Sequence, residues 1–501
     1  MPEANDKDKP AKPADQPEPK DQLSITQHTF TSNGKAIRYT VTAGTIVLKE
    51  EAEKTGEAAG QSEGEQARAT VFFIAYTRDD VEDKARRPLT FSFNGGPGSS
   101  SIWLHLGLLG PRRVALDEAG ALPAPPFRLV DNEYSLLDLT ALVFIDPVST
   151  GFSRAVVGEK AGEFHSFKKD IESVGDFIRL YTTRYMRWTS PKFLIGESYG
   201  TTRAAGLSGY LQERHGLYLN GLMLVSSVLN FQTLEFDPGN DLPYILFLPT
   251  YTATAWYHKK LAPELQKNLP ATLREAEAFA LGDYAQALLM GAALPAETRA
   301  QVAEQLARYT GLSQDYLERS DLRLNIFRFV KELLRDERRT VGRLDSRFKG
   351  IDRDSAGEQF EFDPSYANIQ GPYTAVFNDY VRGDLKYESD LPYEVLTERV
   401  NPWSYATHEN KYVNVAETLR RAISVNPHLK VFVANGYYDL ATPYYATRYT
   451  INHLGLDPSL SANISLGFYE AGHMMYIHLP SLARLRGDLA DFIASALPPR
   501  P

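Results

Sequence analysis

Two short glycine-rich stretches hold the residue types for acyl-transfer chemistry. Residues 193–200 read FLIGESYG, an apolar strand, then G-x-S-x-G, then the start of a helical pattern. In that order the motif is a nucleophile elbow. Gly196 and Gly200 allow a tight turn, and Ser198 is pushed out on a strained corner at the helix start. The helix N-terminus and the backbone N–H of Tyr199 then face a developing oxyanion. A chance G-x-S-x-G in a loop would lack the strand before it and the helix after it. Residues 93–101, FNGGPGSSS, also follow a strand. Consecutive glycines let backbone N–H groups approach a ligand unobstructed, and Gly96 is the expected second oxyanion donor. A phosphate-binding loop would need G-x-x-x-x-G-K-[ST], and no Lys stands here.

A serine nucleophile needs a base and an acid to orient it, and downstream of Ser198 both are available. Asp439 lies in KVFVANGYYDLATP and His473 in YEAGHMMY, each just past an apolar strand. Strand C-terminal ends are where α/β sheets build their sites. The expected roles are Ser198 as nucleophile, His473 as general base and then acid, and Asp439 as the group fixing the His tautomer. Asp146, in FIDPVSTGFS, precedes the serine and is expected to serve a turn. His28, His215, His258 and His428 read as surface residues. His478 lacks the companions a metal site needs, so neither metal nor cofactor is expected.

The elements around these motifs alternate. Strands are expected at 36–49, 68–77, 87–94, 140–146, 192–196, 221–226, 429–434 and 464–470. Helices are expected at 166–185, 200–215, 411–423, 443–454 and 479–496. This pattern predicts an α/β fold with a mostly parallel central sheet. Residues 50–67 read as a polar loop. Residues 257–338 are rich in Ala, Leu, Glu and Arg and predict a helical insertion, whereas 345–400 read as loops over it. The expected division is a leader at 1–22, core at 23–236, a mainly helical cap at 237–400 and core again at 401–497. Within the cap and just beyond it, Tyr366, Tyr373, Phe377, Tyr380, Trp403 and Tyr405 either line a cleft or pack the cap onto the core.

Composition narrows the class. The chain has 501 residues, 43% hydrophobic and 23% charged, with net charge −9. That balance supports a packed core and argues against a nucleic-acid binder, which needs a basic face. No apolar run reaches the 18 residues of a membrane span. There is no cysteine, which removes disulfides, thiolate metal sites and a Cys nucleophile. In residues 1–22, fifteen are charged or Pro, as in a disordered leader. Such a leader fits a periplasmic or secreted protein whose export signal has been removed, or a cytoplasmic protein with a polar tail.

Taken in order, NGGPGSSS, DPVSTGFS, GESYG, NGYYDLATP and GHMMY resemble the serine carboxypeptidases, the group of carboxypeptidase Y and cathepsin A. The resemblance covers about 85–235 and 400–497. It implies an α/β-hydrolase fold with a helical cap and an exopeptidase acting on peptide C-termini. By the same resemblance Asn94, Gly95 and Glu197 bind the substrate's terminal carboxylate and Met474 lines the leaving-residue pocket. The chain departs from the family pattern at Ser92 (Trp), Ser99 (Cys) and Leu108, where the family has a second Glu. Burial alone is therefore expected to raise the Glu197 pKa. The missing disulfides set the chain apart from the eukaryotic secreted members and suggest a bacterial form. Esterase, acyltransferase or aminopeptidase chemistry would use the same triad. A non-catalytic binding protein would show a damaged triad, and here every member is present.

Overall fold

The computed structural model describes residues 18–32, 34–53 and 59–498. Nine strands form one continuous sheet: β1 (Gln22–Ser32), β2 (Lys35–Glu53), β3 (Ser62–Arg78), β4 (Leu89–Phe93), β5 (Ala141–Ile145), β6 (Lys192–Glu197), β7 (Gly221–Val225), β8 (Lys430–Gly436) and β9 (Ile464–Tyr469). Their spatial order is β1-β2-β3-β5-β4-β6-β7-β8-β9, and a two-residue strand at Arg154–Ala155 flanks β3. Strands β1 to β3 pair antiparallel, as do β3 and β5. From β5 through β9 every pairing is parallel.

The central strands are short apolar runs because both faces are covered. Phe193, Ile195, Met223, Val225, Phe432 and Ala434 pack into one hydrophobic cluster. Their alternating neighbours Leu194, Leu222, Leu224, Val431 and Val433 pack into another on the opposite face. Helices α1 (Phe167–Arg184), α2 (Tyr199–His215) and α5 (Ala416–Val425) contribute to the second cluster. Helices α4 (Pro364–Gly383) and α6 (Leu479–Ala496) contribute to the first. Capping is local: Ser166 accepts from Lys169 N at the start of α1, and left-handed Gly216 ends α2. No helix among the described residues is long and apolar enough to cross a membrane.

The segment between β7 and β8 is helical at first, as expected. Helix α3 (Leu242–Tyr257) and the helices after it close a separate cluster running from Ile245 to Val341, which also takes in Leu440 beside the candidate acid. The loop reading of 345–400 is corrected by the 20-residue helix α4, which is capped by Asp363, whose side chain accepts from Ser365 N. Ile369, Tyr373, Val376, Phe377 and Tyr380 recur at helical spacing and join the main core. Pro364 sits in the first turn, where its missing N–H costs nothing; Pro372 lies within the helix.

Two further expectations change at the N-terminal side. The loop reading of 50–67 shrinks, because β2 runs to Glu53 and β3 begins at Ser62. Both faces of this ribbon extension meet water, so the apolar alternation that marks a half-buried strand is missing. Of the 1–22 leader, residues 1–17 lie outside the described residues. Its last residues belong to the fold: Asp21 accepts from Val47 N at 2.8 Å and pairs with Arg184 at 2.5 Å, and Gln22 opens β1.

Candidate active site

The sequence places each functional loop just past a parallel strand, and the sheet gathers them along one edge. Ser198 directly follows β6, Asn94 follows β4, Asp439 lies three residues beyond β8 and His473 four beyond β9. Ser198 has φ +61°, a conformation uncommon for non-glycine residues, and its N–H is spent on Val225 O at 3.0 Å. The expected strained corner is present, and the hydroxyl opens to a cleft that His473 also lines. Among the described residues no hydrogen bond joins Ser198 Oγ to His473; such contacts often tighten only with substrate bound.

The acid and base are tightly held. His473 Nδ1 lies 2.8 Å from Asp439 Oδ2. Asp439 accepts from Ala441 N, Thr442 N and Thr442 Oγ1 at 2.8, 3.0 and 2.6 Å. Burial opposes charging of His473. The Asp439 carboxylate, by charge and hydrogen bond, and Glu197 outweigh it and hold the imidazole above its ordinary value. That is the electrostatic preparation a general base needs to carry a proton.

Residues 343–347 brace the loops that carry Asp439 and His473, and no local pattern in the sequence marks them. Leu344 O accepts from His473 N at 2.7 Å, and Arg343 O accepts from Leu440 N at 3.0 Å. Ser346 donates twice to Tyr438 O, from N and Oγ. Buried Asp345 binds Gly472 N and is itself gripped by Arg347. His258, expected at the surface, is half-buried and donates from Nε2 to Ser346 O at 2.6 Å. Asp146, expected to serve a turn, instead reaches across to the end of the NGGPGSSS stretch, its carboxylate accepting from Ser101 N and Oγ at 2.8 Å.

The NGGPG loop lies directly on the elbow. A methyl at Gly95 would stand 2.5 Å from Tyr199 N and 2.7 Å from Glu197 O and Gly200 N. Only glycine allows this approach. Gly96 has φ +100° and is exposed toward the cleft. Among the described residues neither Gly96 N–H nor Tyr199 N–H donates to another protein group. Gly95→Ala is therefore expected to push the two donors apart and lower kcat on a simple ester by about 10²-fold or more. An unchanged kcat with a raised KM would show that the loop serves binding alone.

Asn94 and Glu197 meet in the same wall. Asn94 Nδ2 donates to Glu197 Oε1 at 3.0 Å, while Leu104 N donates to Asn94 Oδ1 at 3.1 Å and fixes the amide's orientation. Glu197 is 3% exposed. Burial pushes its carboxyl up to about 7, with the Asp439 charge adding to the rise and with His473 and the Asn94 hydrogen bond opposing it. Burial is the largest cause of the rise, as expected, but not the sole one, because the Asp439 charge adds to it. Behind this wall lies Arg203, unremarked in the sequence. It is fully buried, paired with Asp170 at 2.8 Å, and donates from Nη1 to Asn94 O at 2.5 Å. Its guanidinium also covers the rings of Phe93 and Tyr199.

The cleft encloses about 1000 Å³. Met474, Trp103, Tyr366 and Ile369 form one apolar part of its lining, and Phe231, Phe236, Phe247, Phe327 and Phe360 another. Of the six aromatics singled out by sequence, Tyr366 lines the cleft. Tyr373, Phe377 and Tyr380 are core residues. Trp403 packs edge-on against Tyr199, and Tyr405 packs on Phe231.

A Ser–Asp–His order along the C-terminal ends of a mostly parallel sheet defines an α/β-hydrolase. Residues 53–465 match the family described as serine carboxypeptidase (Peptidase_S10), and the chain belongs to that family. The crystal structure of Kex1Δp, a prohormone-processing carboxypeptidase from Saccharomyces cerevisiae, shares the fold. Its TM-score is 0.53 at 18% identity, covering 90% of this chain and 91% of that one. In sequence, the chain is 34% identical over 135 residues to the pheromone-processing carboxypeptidase KEX1 of S. cerevisiae (strain ATCC 204508 / S288c). That match takes in 26% of this chain and 17% of the yeast protein's length.

Proposed function

We propose that the chain is a serine-type carboxypeptidase that releases single C-terminal residues from peptides, without a metal or cofactor. The observation that carries this reading is the buried Asn94–Glu197 pair beside Ser198. A carboxyl group kept protonatable near neutrality has a use there if the substrate itself brings a carboxylate. Asn94, the Gly95 backbone and protonated Glu197 would hold that carboxylate, with the last side chain against Met474.

The chemistry then follows from the geometry. Ser198 Oγ attacks the last peptide carbonyl as His473 takes its proton, and the N–H groups of Gly96 and Tyr199 receive the oxyanion. The C–N bond breaks as His473 returns the proton to the leaving amine, and the free amino acid departs. Water, deprotonated by His473, attacks the acyl-enzyme and releases the shortened peptide and Ser198. Throughout, Asp439 holds the imidazole in the required tautomer.

The pH dependence tests the reading. Ionised Glu197 would repel a terminal carboxylate, so binding is present below about pH 7 and lost as pH rises through that value. We expect kcat/KM for a peptide with a free C-terminus to fall roughly tenfold per unit above that point. The matching ester or amide, with no terminal carboxylate, should show no such fall. A flat profile for the free acid from pH 4 to 8 would overturn the role of Glu197. One feature favours an esterase instead: Leu108 is apolar and fully buried where the family pattern carries a carboxyl. That reading predicts turnover of the ester alone.

A further inference from the structure

Glu197 and Asn94 share a neighbour that the cleft does not expose. Tyr476 follows His473 by three residues, in the turn Met475–Ile477, and is 1% exposed. Its ring lies so close to Gly107 that a methyl there would overlap it. Tyr373 comes in from α4 on the same glycine, its hydroxyl 2.7 Å from where that methyl would stand. Tyr476 Oη is buried with no partner in regular hydrogen-bond geometry, and so is Glu197 Oε2. The hydroxyl and the carboxyl lie within each other's electrostatic reach, and Asn94 is the third group near the Tyr476 hydroxyl. Leaving two polar oxygens buried and unpaired is destabilising, because each has given up its bond to water and gained none in return. A hydroxyl aimed at a carboxyl removes both penalties together.

We propose that Tyr476 is a positioning residue of the carboxylate subsite, its hydroxyl donating from behind to Glu197 Oε2 and thereby setting both the orientation and the proton of that acid. This rests on the carboxypeptidase reading of Glu197. Burial keeps the phenol protonated far above its usual range. The donor therefore persists across the working pH, and it favours ionised Glu197, opposing the rise that burial causes. The other groups facing Glu197 are His473, Asp439, Asn94 and Tyr373, and Tyr476 itself faces Tyr373 and Asn94. At position 108, Leu supplies no proton-bearing group, so Tyr476 and Asn94 are the donors to this acid.

The test is the alkaline limb of kcat/KM for a free-carboxylate peptide. With Tyr476→Phe the limb should move up by about one pH unit, because a donor to the ionised acid is gone. KM at pH 5 should rise several-fold as the acid loses its orientation. Glu197→Gln should erase the limb, and adding Tyr476→Phe to Glu197→Gln should produce no displacement. If Glu197→Gln erases the limb and Tyr476→Phe leaves it in place, the role of Tyr476 is refuted and the subsite stands. A limb that survives Glu197→Gln refutes the subsite itself, and the Tyr476 proposal with it. Should Tyr476→Phe fail to fold, 2,3-difluorotyrosine at position 476 keeps the shape and strengthens the donor. The limb should then move down, and an unmoved limb would overturn the proposal.

Discussion

Ser198→Ala should abolish stepwise release of C-terminal residues from a peptide with a blocked N-terminus, lowering kcat by about 10⁴- to 10⁶-fold. The size follows from the site's construction. His473 is anchored through its ring by Asp439, through its N–H by Leu344 O and through its carbonyl by Ser226 Oγ at 2.5 Å. The base stays in place, but a water beside it is not covalently positioned for attack as the serine hydroxyl is. What remains is binding and the oxyanion donors, which give only a small residual rate. Mass spectrometry of the peptide over time reads the result directly. Release that persists in the variant would place the nucleophile elsewhere. Loss of ester turnover in the variant, with no peptide release even by the wild type, would mean a working triad without a working carboxylate subsite.

The second large effect is on stability. Arg203→Met should destabilise the fold by about 3–5 kcal/mol, because it leaves Asp170 buried without its counter-charge. Asp170 is 2% exposed, and its carboxyl is raised by burial even with Arg203 opposing. Urea unfolding would measure the loss. Replacing both partners, as Arg203→Met with Asp170→Leu, should recover a large part of it, since the stranded charge is removed. The same substitution frees Asn94 O and uncovers the Tyr199 ring, so the surviving enzyme should also show a raised KM for free-carboxylate peptides. A loss below about 1 kcal/mol would mean that water reaches Asp170.

How much of this was legible depends on how local each signal is. The sequence pattern predicts a helix over 479–496, and α6 spans Leu479–Ala496; it predicts another over 200–215, and α2 spans Tyr199–His215. Both carry their boundaries in adjacent residues, a Pro in the first turn of α6 and a left-handed Gly216 after α2. Helix α4 was missed because its Pro, Tyr, Gly and Asp content masks a buried stripe. The recurrence of Ile369, Tyr373, Val376, Phe377 and Tyr380 was the available signal. The solvent-facing extension of β2 and β3 left no such stripe, since backbone pairing and the ion pairs of Glu50 with Arg68 and Lys169 hold it in place of apolar packing.

The sequence by itself determined the chemistry: a serine on a strained corner, glycines where backbones must touch, and an acid and a histidine each just past a strand. Those features are local, because turn geometry and strand ends are written in neighbouring residues. The tertiary structure alone decided which distant groups serve that chemistry. Arg203 meets Asn94 across 109 residues, and Leu344 reaches His473 from the far side of the helical segment. Burial sets the Glu197 proton, and burial is a property of the packed core as a whole. No run of adjacent residues encodes it, because the groups that exclude water from Glu197 come from strands, helices and loops far apart in the chain.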